Sequence, residues 1–465
     1  RFESYLIHTL QGNTEAAAAA KAEMKALMRG AVHSYLEYAI DYASAGMYEE
    51  ATQLLSFVAE GNEATYPMVY YALGYFASKM GKKDEALNLY KKAETMCPDY
   101  CFPNKLEEVL MLNDAMSLNP EGAKAPYYLG NFHYAARIYD EAIACWEKSA
   151  SIDDTYPTVL RNLSLAYYNK QHNPQKALAT LEKAYNLDTT DARILMELDQ
   201  LYKKLRYPHR QRLDFLEAHA DVVEQRDDLC IERITLYNQL GEYQKAYDLI
   251  NSRKFHPWEG GEGKVTSQYL LCRVELAKIA IREGRFADAV RLLKETEKYP
   301  DNLGEGKLSM AEENDIHYWM GCAYEGLGEE ALAKEYFTKA TKGSAEPAIA
   351  FFYNDQQPDK IFYQGLAWRK LGEEDKARSR FNRLIKHGEK HLFDKVKIDY
   401  FAVSLPDLLI WDDDLNVRNQ IHCNLVMGMG YLGLGDKEQA RKFLSEVARL
   451  DINHQAGKQL LEMCD

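Results

Sequence analysis

The sequence predicts an all-α protein built as a right-handed solenoid, an alpha-alpha superhelix of helix-turn-helix repeats. Three observations predict it: a motif that returns every 34 or 35 residues, amphipathic helical patterns before each copy, and few helix breakers, with 27 Gly and 13 Pro in 465 residues. Length alone would favour about three globular domains of roughly 150 residues each. An internal repeat replaces those domains with one continuous array.

The motif reads Gly-x-(Tyr or Phe)-x-x-Ala, followed four residues later by an apolar side chain. Its clear copies begin at Gly46, Gly241 and Gly284. Looser copies are centred on Ala17, Ala86, Ala142, Ala177, Gln211, Ala333, Ala377 and Ala440. The sequence therefore predicts eleven units, the first of them incomplete.

These copies carry the marks of the tetratricopeptide repeat, a helix-turn-helix of about 34 residues that the array resembles. One unit combines Leu73-Gly74 with Gly81, Ala86 and Tyr90. Glycines at the position of Gly74 would let paired helices approach closely, and a glycine before the second helix would adopt the left-handed turn. The counterparts of Gly74 are Gly130, Gly321, Gly365 and Gly428.

Inserts divide the predicted array into three parts. We expect units with an extra helix near 105–118 in residues 1–252, units with long insertions in 253–415, and the last unit with a capping helix in 416–465. Residue 1 cuts the first helix of the first unit, so we expect a fragment of a longer protein. A cytoplasmic location is expected, and the missing part could include an N-terminal targeting segment.

Composition excludes several classes of function. The 71 acidic side chains exceed the 57 basic ones and give a net charge of −14, which argues against nucleic acid as a partner. No apolar run approaches the roughly 18 residues of a membrane span, and the scattered cysteines are expected to be reduced. No catalytic motif is present, and His387 and His391 share a helical face without a third metal ligand nearby. We expect no enzyme activity, cofactor or metal, and we expect Asp412 to cap the helix that follows it.

Two inserts, at 253–264 and 300–309, both contain Gly-Glu-Gly-Lys, and a third insert at 343–360 differs. Glycines around a Glu and a Lys expose backbone N–H groups, which favours a polar, ligand-contacting loop. Alternatively, the Glu and Lys pair and each loop only braces the next unit. The pattern argues against a phosphate-binding loop, because neither copy has the required earlier glycine or a preceding strand. The candidate partner-binding residues are His256, Trp258, Glu259, Glu262, Lys264, Asn302, Glu305, Lys307, Tyr353, Asn354 and Asp355.

Aromatic side chains suggest two kinds of surface. Trp258 beside Glu259 is typical of sugar-stacking or peptide-anchoring sites, although packing under its own loop is the alternative. The first helices of tetratricopeptide units line a groove, and tyrosine supplies contact area and a hydroxyl there, although many of these rings could instead fill space between helices. The candidate groove residues are Tyr71, Tyr75, Tyr127, Asn131, Tyr134, Arg161 and Tyr168.

A narrower resemblance covers residues 253–430. The segments Phe-His-Pro-Trp-Glu-Gly-Gly-Glu-Gly-Lys at 255–264 and Asn-Gln-Ile-His at 419–422 look like the C-terminal half of bacterial proteins of unknown function. In that group a domain similar to galactose mutarotase precedes the helical array, which implies a carbohydrate connection. We therefore predict a non-catalytic scaffold that binds another protein or its own N-terminal domain. The alternative is the helical half of a carbohydrate-active or carbohydrate-binding protein, with insertion loops that contribute to a sugar site.

Overall fold

A computed structural model describes residues 1–59, 66–309, 311–348, 357–397 and 410–464. Every regular element in these ranges is helical, as the sequence predicts. The α-helices are α1 (Phe2–Leu10), α2 (Thr14–Met28), α3 (Val32–Ser44), α4 (Tyr48–Ala59), α5 (Pro67–Lys79), α6 (Lys83–Glu94), α7 (Leu106–Leu118), α8 (Lys124–Ala135), α9 (Tyr139–Ile152), α10 (Pro157–Asn169), α11 (Pro174–Leu187), α12 (Ala192–Lys204), α13 (His209–Ala218), α14 (Ala220–Val223), α15 (Asp227–Gln239), α16 (Tyr243–Asn251), α17 (Lys264–Arg282), α18 (Phe286–Lys294), α19 (Asn314–Gly326), α20 (Glu330–Ala340), α21 (Pro358–Lys370), α22 (Glu374–His391), α23 (Leu415–Leu434), α24 (Lys437–Leu450) and α25 (Gln455–Glu462). A 3₁₀ turn spans Asp301–Leu303.

Successive helices pair across short turns, and five of these pairs share a close glycine contact. In five pairs a glycine of the first helix lies against a large side chain sixteen residues later, on the second helix. A Cβ on Gly74 would lie 2.4 Å from Cε1 of Tyr90, and a Cβ on Gly130 would lie 2.4 Å from Cδ1 of Trp146. The other three pairs of residues are Gly321 with Phe337, Gly365 with Phe381 and Gly428 with Leu444. The predicted close approach is confirmed at all five positions.

The turn between paired helices contains a residue with positive φ. Glycine holds this position in eight pairs, with φ between 73° and 84°: Gly12, Gly46, Gly81, Gly241, Gly284, Gly328, Gly372 and Gly435. Arg137, His172 and Arg206 adopt a left-handed conformation there, with φ of 63°, 51° and 65°. A non-glycine residue costs about 1 kcal/mol there, so packing of the helix pair overrides local preference. These three copies lack the turn glycine of the motif.

Contacts divide the chain into two compact units, Arg1–Asp188 and Thr189–Asp465. Within the first unit, α7 lies where the extra helix is expected. Within the second, α25 lies where the capping helix is expected. The divisions expected at 253 and 416 stay predictions. Along the described ranges, no helix is long and apolar enough to cross a membrane.

The aspartate run before α23 caps that helix through Asp414, so the expectation for Asp412 is wrong. Oδ1 of Asp414 accepts a hydrogen bond from the backbone N–H of Asn416 at 2.8 Å. Asp414 is the residue directly before the first helical turn, where a capping side chain reaches the free N–H groups. Asp413 instead forms an ion pair with Lys204 at 3.1 Å, which ties this segment to the end of α12.

Candidate functional site

The two loops that contain Gly-Glu-Gly-Lys touch each other in the second unit. The first connects α16 to α17 and the second connects α18 to α19. The backbone N–H of Phe255 donates to the carbonyl of Asn302 at 2.7 Å. Gly304 lies so close that a Cβ there would be 2.6 Å from the carbonyl oxygen of Phe255. We call residues 253–264 and 300–307 together the loop ridge.

Asn302 and Glu305 point into the loop ridge and fasten its two loops together. Nδ2 of Asn302 donates to the carbonyl oxygens of Ile250 and Arg253, both at 2.9 Å. The carboxylate of Glu305 accepts from the backbone N–H of Gly263 at 3.0 Å. Gly263 precedes α17, so this carboxylate also lies at the positive end of that helix. Burial raises the pKa of Glu305, although the Gly263 N–H opposes that shift.

Lys307 also points inward. Its Nζ forms an ion pair with Glu313 at 2.5 Å and donates to the carbonyl oxygens of Thr296 at 3.3 Å and Glu297 at 3.2 Å. These two carbonyls follow the end of α18, where a cation is favourable. Lys307 therefore joins α18 to the start of α19, and its ammonium group is largely covered, with 19% of the side chain exposed.

The first loop presents its polar side chains outward. Glu259, Glu262 and Lys264 are exposed, in contrast to the equivalent Glu305 and Lys307 of the second loop. The His256 side chain is 72% exposed, and its backbone N–H donates to Oδ2 of Asp227 at 2.8 Å. The two copies of one tetrapeptide thus have different surroundings, because only the second is covered by its neighbour.

Trp258 is half-buried and covers a glycine of its own loop. A Cβ on Gly261 would lie 2.0 Å from Cε2 of the indole, so the ring and the loop backbone are in direct contact. Part of the ring stays exposed beside Glu259. The remaining candidates of the inserts, Tyr353, Asn354 and Asp355, lie outside the described residues.

Two of the tyrosines predicted to line a groove in the first unit are buried. Tyr71 is 0% exposed and its hydroxyl donates to Oε1 of Glu94 at 2.7 Å. Tyr127 is 5% exposed. The expectation that these two rings line an accessible groove is wrong, because α8 covers Tyr71, with the ring of Tyr128 at a centroid distance of 5.9 Å.

The other five predicted groove residues are partly exposed. Oδ1 of Asn131 accepts from Nε1 of Trp146 at 3.1 Å and from Nδ2 of Asn162 at 3.3 Å, so its amide is engaged within the fold. The ring of Tyr134 also packs on Trp146, at a centroid distance of 5.2 Å. The half-buried members of this set are Tyr75, Asn131, Tyr134, Arg161 and Tyr168.

Comparison with known families assigns the repeat. Family models described as "Tetratricopeptide repeat" match residues 69–100, 315–342 and 361–387. These segments coincide with the pairs α5 and α6, α19 and α20, and α21 and α22. These three segments are matched as tetratricopeptide repeats. The resemblance drawn from the sequence is confirmed to that extent.

Several solved structures are similar to this chain at low identity. The pilF protein of Pseudomonas aeruginosa is 19% identical, over 48% of this chain and 90% of that one, with a TM-score of 0.28. MamA of Desulfovibrio magneticus RS-1 is 17% identical, over 42% and 97%, with a TM-score of 0.24. The tetratricopeptide domain of P58(IPK) is 14% identical, over 93% and 97%, with a TM-score of 0.22. At these scores they add nothing to the three matched segments.

The structure shows a polar and aromatic cluster on α19 and α21, the first helices of neighbouring tetratricopeptide repeats. The sequence prediction does not include it. Nζ of Lys360 pairs with Asp315 at 2.6 Å and Asp359 at 3.1 Å, and Nε1 of Trp319 donates to the hydroxyl of Tyr363 at 3.3 Å. Burial lowers the pKa of Lys360, but the two carboxylates outweigh burial and raise it. The helix spacing used for the first unit, applied to α19 and α21, would have found these residues.

Three histidines meet where α22 packs on α23. The ring of His387 lies at centroid distances of 4.6 Å from His391 and 6.0 Å from His422. Nδ1 of His391 lies 2.6 Å from Oδ2 of Asp394. The sequence pairs His387 with His391 but gives no signal for His422. Across the described ranges, no group of three or more His, Cys, Asp or Glu side chains is arranged to hold a metal.

His422 is expected to make stability depend on pH. Burial, and then the neighbouring His387, lower the pKa of His422 from 6.5 to about 4. Between these values the unfolded chain binds a proton that the folded chain does not, so the free energy of unfolding falls as the pH drops from 6.5 towards 4. The loss reaches about 3 kcal/mol at most, and urea titrations at several pH values would measure it.

The variant His422→Gln is expected to reduce that pH dependence, because it removes the titrating group. His33→Gln, at an exposed histidine of the first unit, is the matched control and is expected to keep the wild-type slope. Parallel profiles for wild type and His422→Gln would contradict the prediction.

Proposed function

We propose that this protein is a non-catalytic scaffold that holds a partner protein on its loop ridge. Tetratricopeptide arrays expose extended surfaces that each repeat prolongs, and such surfaces serve in binding. The observation that carries the proposal is the division of the ridge into inward and outward side chains. Asn302, Glu305 and Lys307 fix the loops from within, while His256, Glu259, Glu262 and Lys264 stay exposed.

A loop that is already held in one conformation loses little entropy when it binds. The contacts of Asn302 and Glu305 and the close approach of Gly304 hold the first loop at Arg253, Gly263 and Phe255. Exposed carboxylates on such a fixed loop favour a partner with basic or hydrogen-bond-donating side chains. The proposed partners are the domain expected to precede this chain or another protein.

We also propose the cytoplasm as the location. The eight cysteines, all within the described residues, form no disulfide, and reduced thiols are the rule in reducing compartments. Several of them are buried, and burial raises the pKa of a thiol and makes it less reactive. Cys230 is one example, with a pKa raised by burial to about 12.

The test is a calorimetric titration that measures the affinity of this chain for the domain expected to precede it, expressed separately. The double variant Glu259→Ala with Glu262→Ala is expected to bind about tenfold more weakly, with an unchanged unfolding temperature. The matched control is Glu330→Ala with Glu335→Ala, two exposed carboxylates of α20 that lie outside the ridge. Equal affinity of wild type and the ridge variant would contradict the proposed site.

A sugar site is the second candidate, and the half-exposed indole of Trp258 beside Glu259 is the observation that favours it. Titration of the chain with an oligosaccharide panel separates the two candidates. Saturable sugar binding that is lost in Trp258→Ala would favour the carbohydrate alternative over the protein scaffold.

A further inference from the structure

The segment 451–462 of the second unit lies against helices that come some 200 residues earlier in the chain. Oδ1 of Asn453 accepts from a guanidinium nitrogen of Arg212 at 3.3 Å and lies 3.2 Å from Nε2 of His209. Nδ2 of Asn453 donates to the backbone carbonyl of Lys203 at 3.4 Å. One carboxamide therefore contacts the end of α12 and the first turns of α13.

Three further contacts hold the segment on α15 and α17. Nε2 of Gln239 donates to the backbone carbonyl of Asn453 at 2.6 Å, and Nζ of Lys458 donates to the carbonyl of Gln239 at 2.6 Å. The side-chain amides of Gln268 and Gln455 bond each other at 3.0 and 3.1 Å. Main-chain carbonyls and side-chain amides are the groups through which a protein surface binds a peptide.

Two oxygens on the receiving surface stay unsatisfied. Oδ1 of Asn238 and Oε1 of Gln239 are buried without a hydrogen-bond partner among the described residues, and their side chains are 3% and 5% exposed. Buried polar atoms in folded proteins nearly always have a partner. The segment 451–462 therefore covers this surface but does not meet all of its hydrogen-bonding capacity.

The segment is anchored independently of these polar contacts. Leu460 of α25 is buried in the core cluster that contains Leu444 and Val447 of α24, and Leu461 and Met463 pack against the same cluster. Its apolar face thus belongs to the last helix pair, while its polar face meets α12, α13, α15 and α17. The polar contacts can open while α25 stays on α24.

We propose that the surface which receives residues 451–458 is a peptide-binding site, and that this segment is its internal competitor. The external occupant is a protein segment with an asparagine in a turn, followed by amide and cationic side chains. Asn453, Gln455 and Lys458 supply these groups within the chain. An external segment whose donors reach Oδ1 of Asn238 and Oε1 of Gln239 would bind this surface more tightly than residues 451–458 do. The site lies outside the loop ridge and does not depend on the function proposed for it.

The probe is a labelled synthetic peptide of residues 451–462, titrated with the full chain and followed by fluorescence anisotropy. We expect Asn453→Ala to bind the peptide at least about tenfold more tightly than wild type, because the variant's own segment occupies the site less of the time. Amide hydrogen exchange of residues 451–455, at the start of the segment, is expected to be faster in the same variant. Asn113→Ala, at an exposed asparagine of α7, is the matched control and should resemble wild type in both measurements.

A second variant tests the receiving side. Adding Gln239→Ala to Asn453→Ala is expected to abolish the gain in peptide binding, because the donor to the carbonyl of residue 453 is removed. Faster exchange in Asn453→Ala without tighter peptide binding would overturn the binding site. Unchanged exchange would overturn the role of the segment as a competitor. Loss of loop-ridge binding alone would leave this proposal standing.

Discussion

Arg212→Met is expected to lower the free energy of unfolding by about 3–5 kcal/mol, the largest effect of any single change considered for this protein. The Arg212 side chain is 0% exposed, and it pairs with Asp199 and Glu232, each at 2.7 Å. Asp199 is itself 1% exposed. Removing the guanidinium leaves that carboxylate buried without its partner, and this penalty dominates the loss.

Urea unfolding of the full chain measures the effect, with Arg449→Met as the matched control. The Arg449 side chain is 66% exposed and forms an ion pair with Glu446 at the surface, so its removal is expected to cost about 0–1 kcal/mol. Adding Asp199→Leu to Arg212→Met should recover much of the stability, because no unpaired charge is left. A loss below about 1 kcal/mol for Arg212→Met would show that the charge cluster is not buried in solution.

Gly304→Ala is expected to destabilise the loop ridge by about 2–4 kcal/mol, from an unfavourable backbone conformation and a clash. Gly304 has φ of 79°, and its Cβ would lie 2.6 Å from the carbonyl oxygen of Phe255. That oxygen cannot easily move, because Phe255 is 1% exposed and its N–H is bonded to Asn302. The two loops would have to separate to make room.

Gly306→Ala is the control in the same loop, because a Cβ there meets nothing within 4 Å and its φ is not positive. We expect a change within about 0.5 kcal/mol for this variant. Thermal unfolding compares the two substitutions, and hydrogen exchange of residues 255–264 shows whether the loops have separated. Equal behaviour of both variants would mean that the contact between the loops does not form.

The helix pairs could be predicted because the signals that define them are local. The contact between Gly74 and Tyr90 spans sixteen residues, and the turn glycines need only a favourable φ. The left-handed conformation of Arg137, His172 and Arg206 could not be predicted in this way, because their residue types do not favour it. The cap of α23 is Asp414 and not Asp412, because the capping residue depends on where the first helical turn begins.

The candidate surfaces could be predicted only in part. The inserts were visible as departures from the period, but Glu262 and Glu305 have identical local sequence and opposite orientations. Which of them turns inward depends on a contact between two loops about 40 residues apart. Tyr71 and Tyr75 share one helical face by spacing, yet α8 buries only the former.

By itself, the sequence determined the all-α class, the tetratricopeptide period and the positions of the loops, because these follow from periodicity and from residues within one helix pair. Tertiary structure alone decided the contacts of Asn453 with Arg212, of Trp411 with the carbonyl of Glu197 and of Gly304 with Phe255. Such contacts join residues 49 to 241 positions apart. No local pattern encodes them, since each depends on how the helix pairs stack and bring distant residues together.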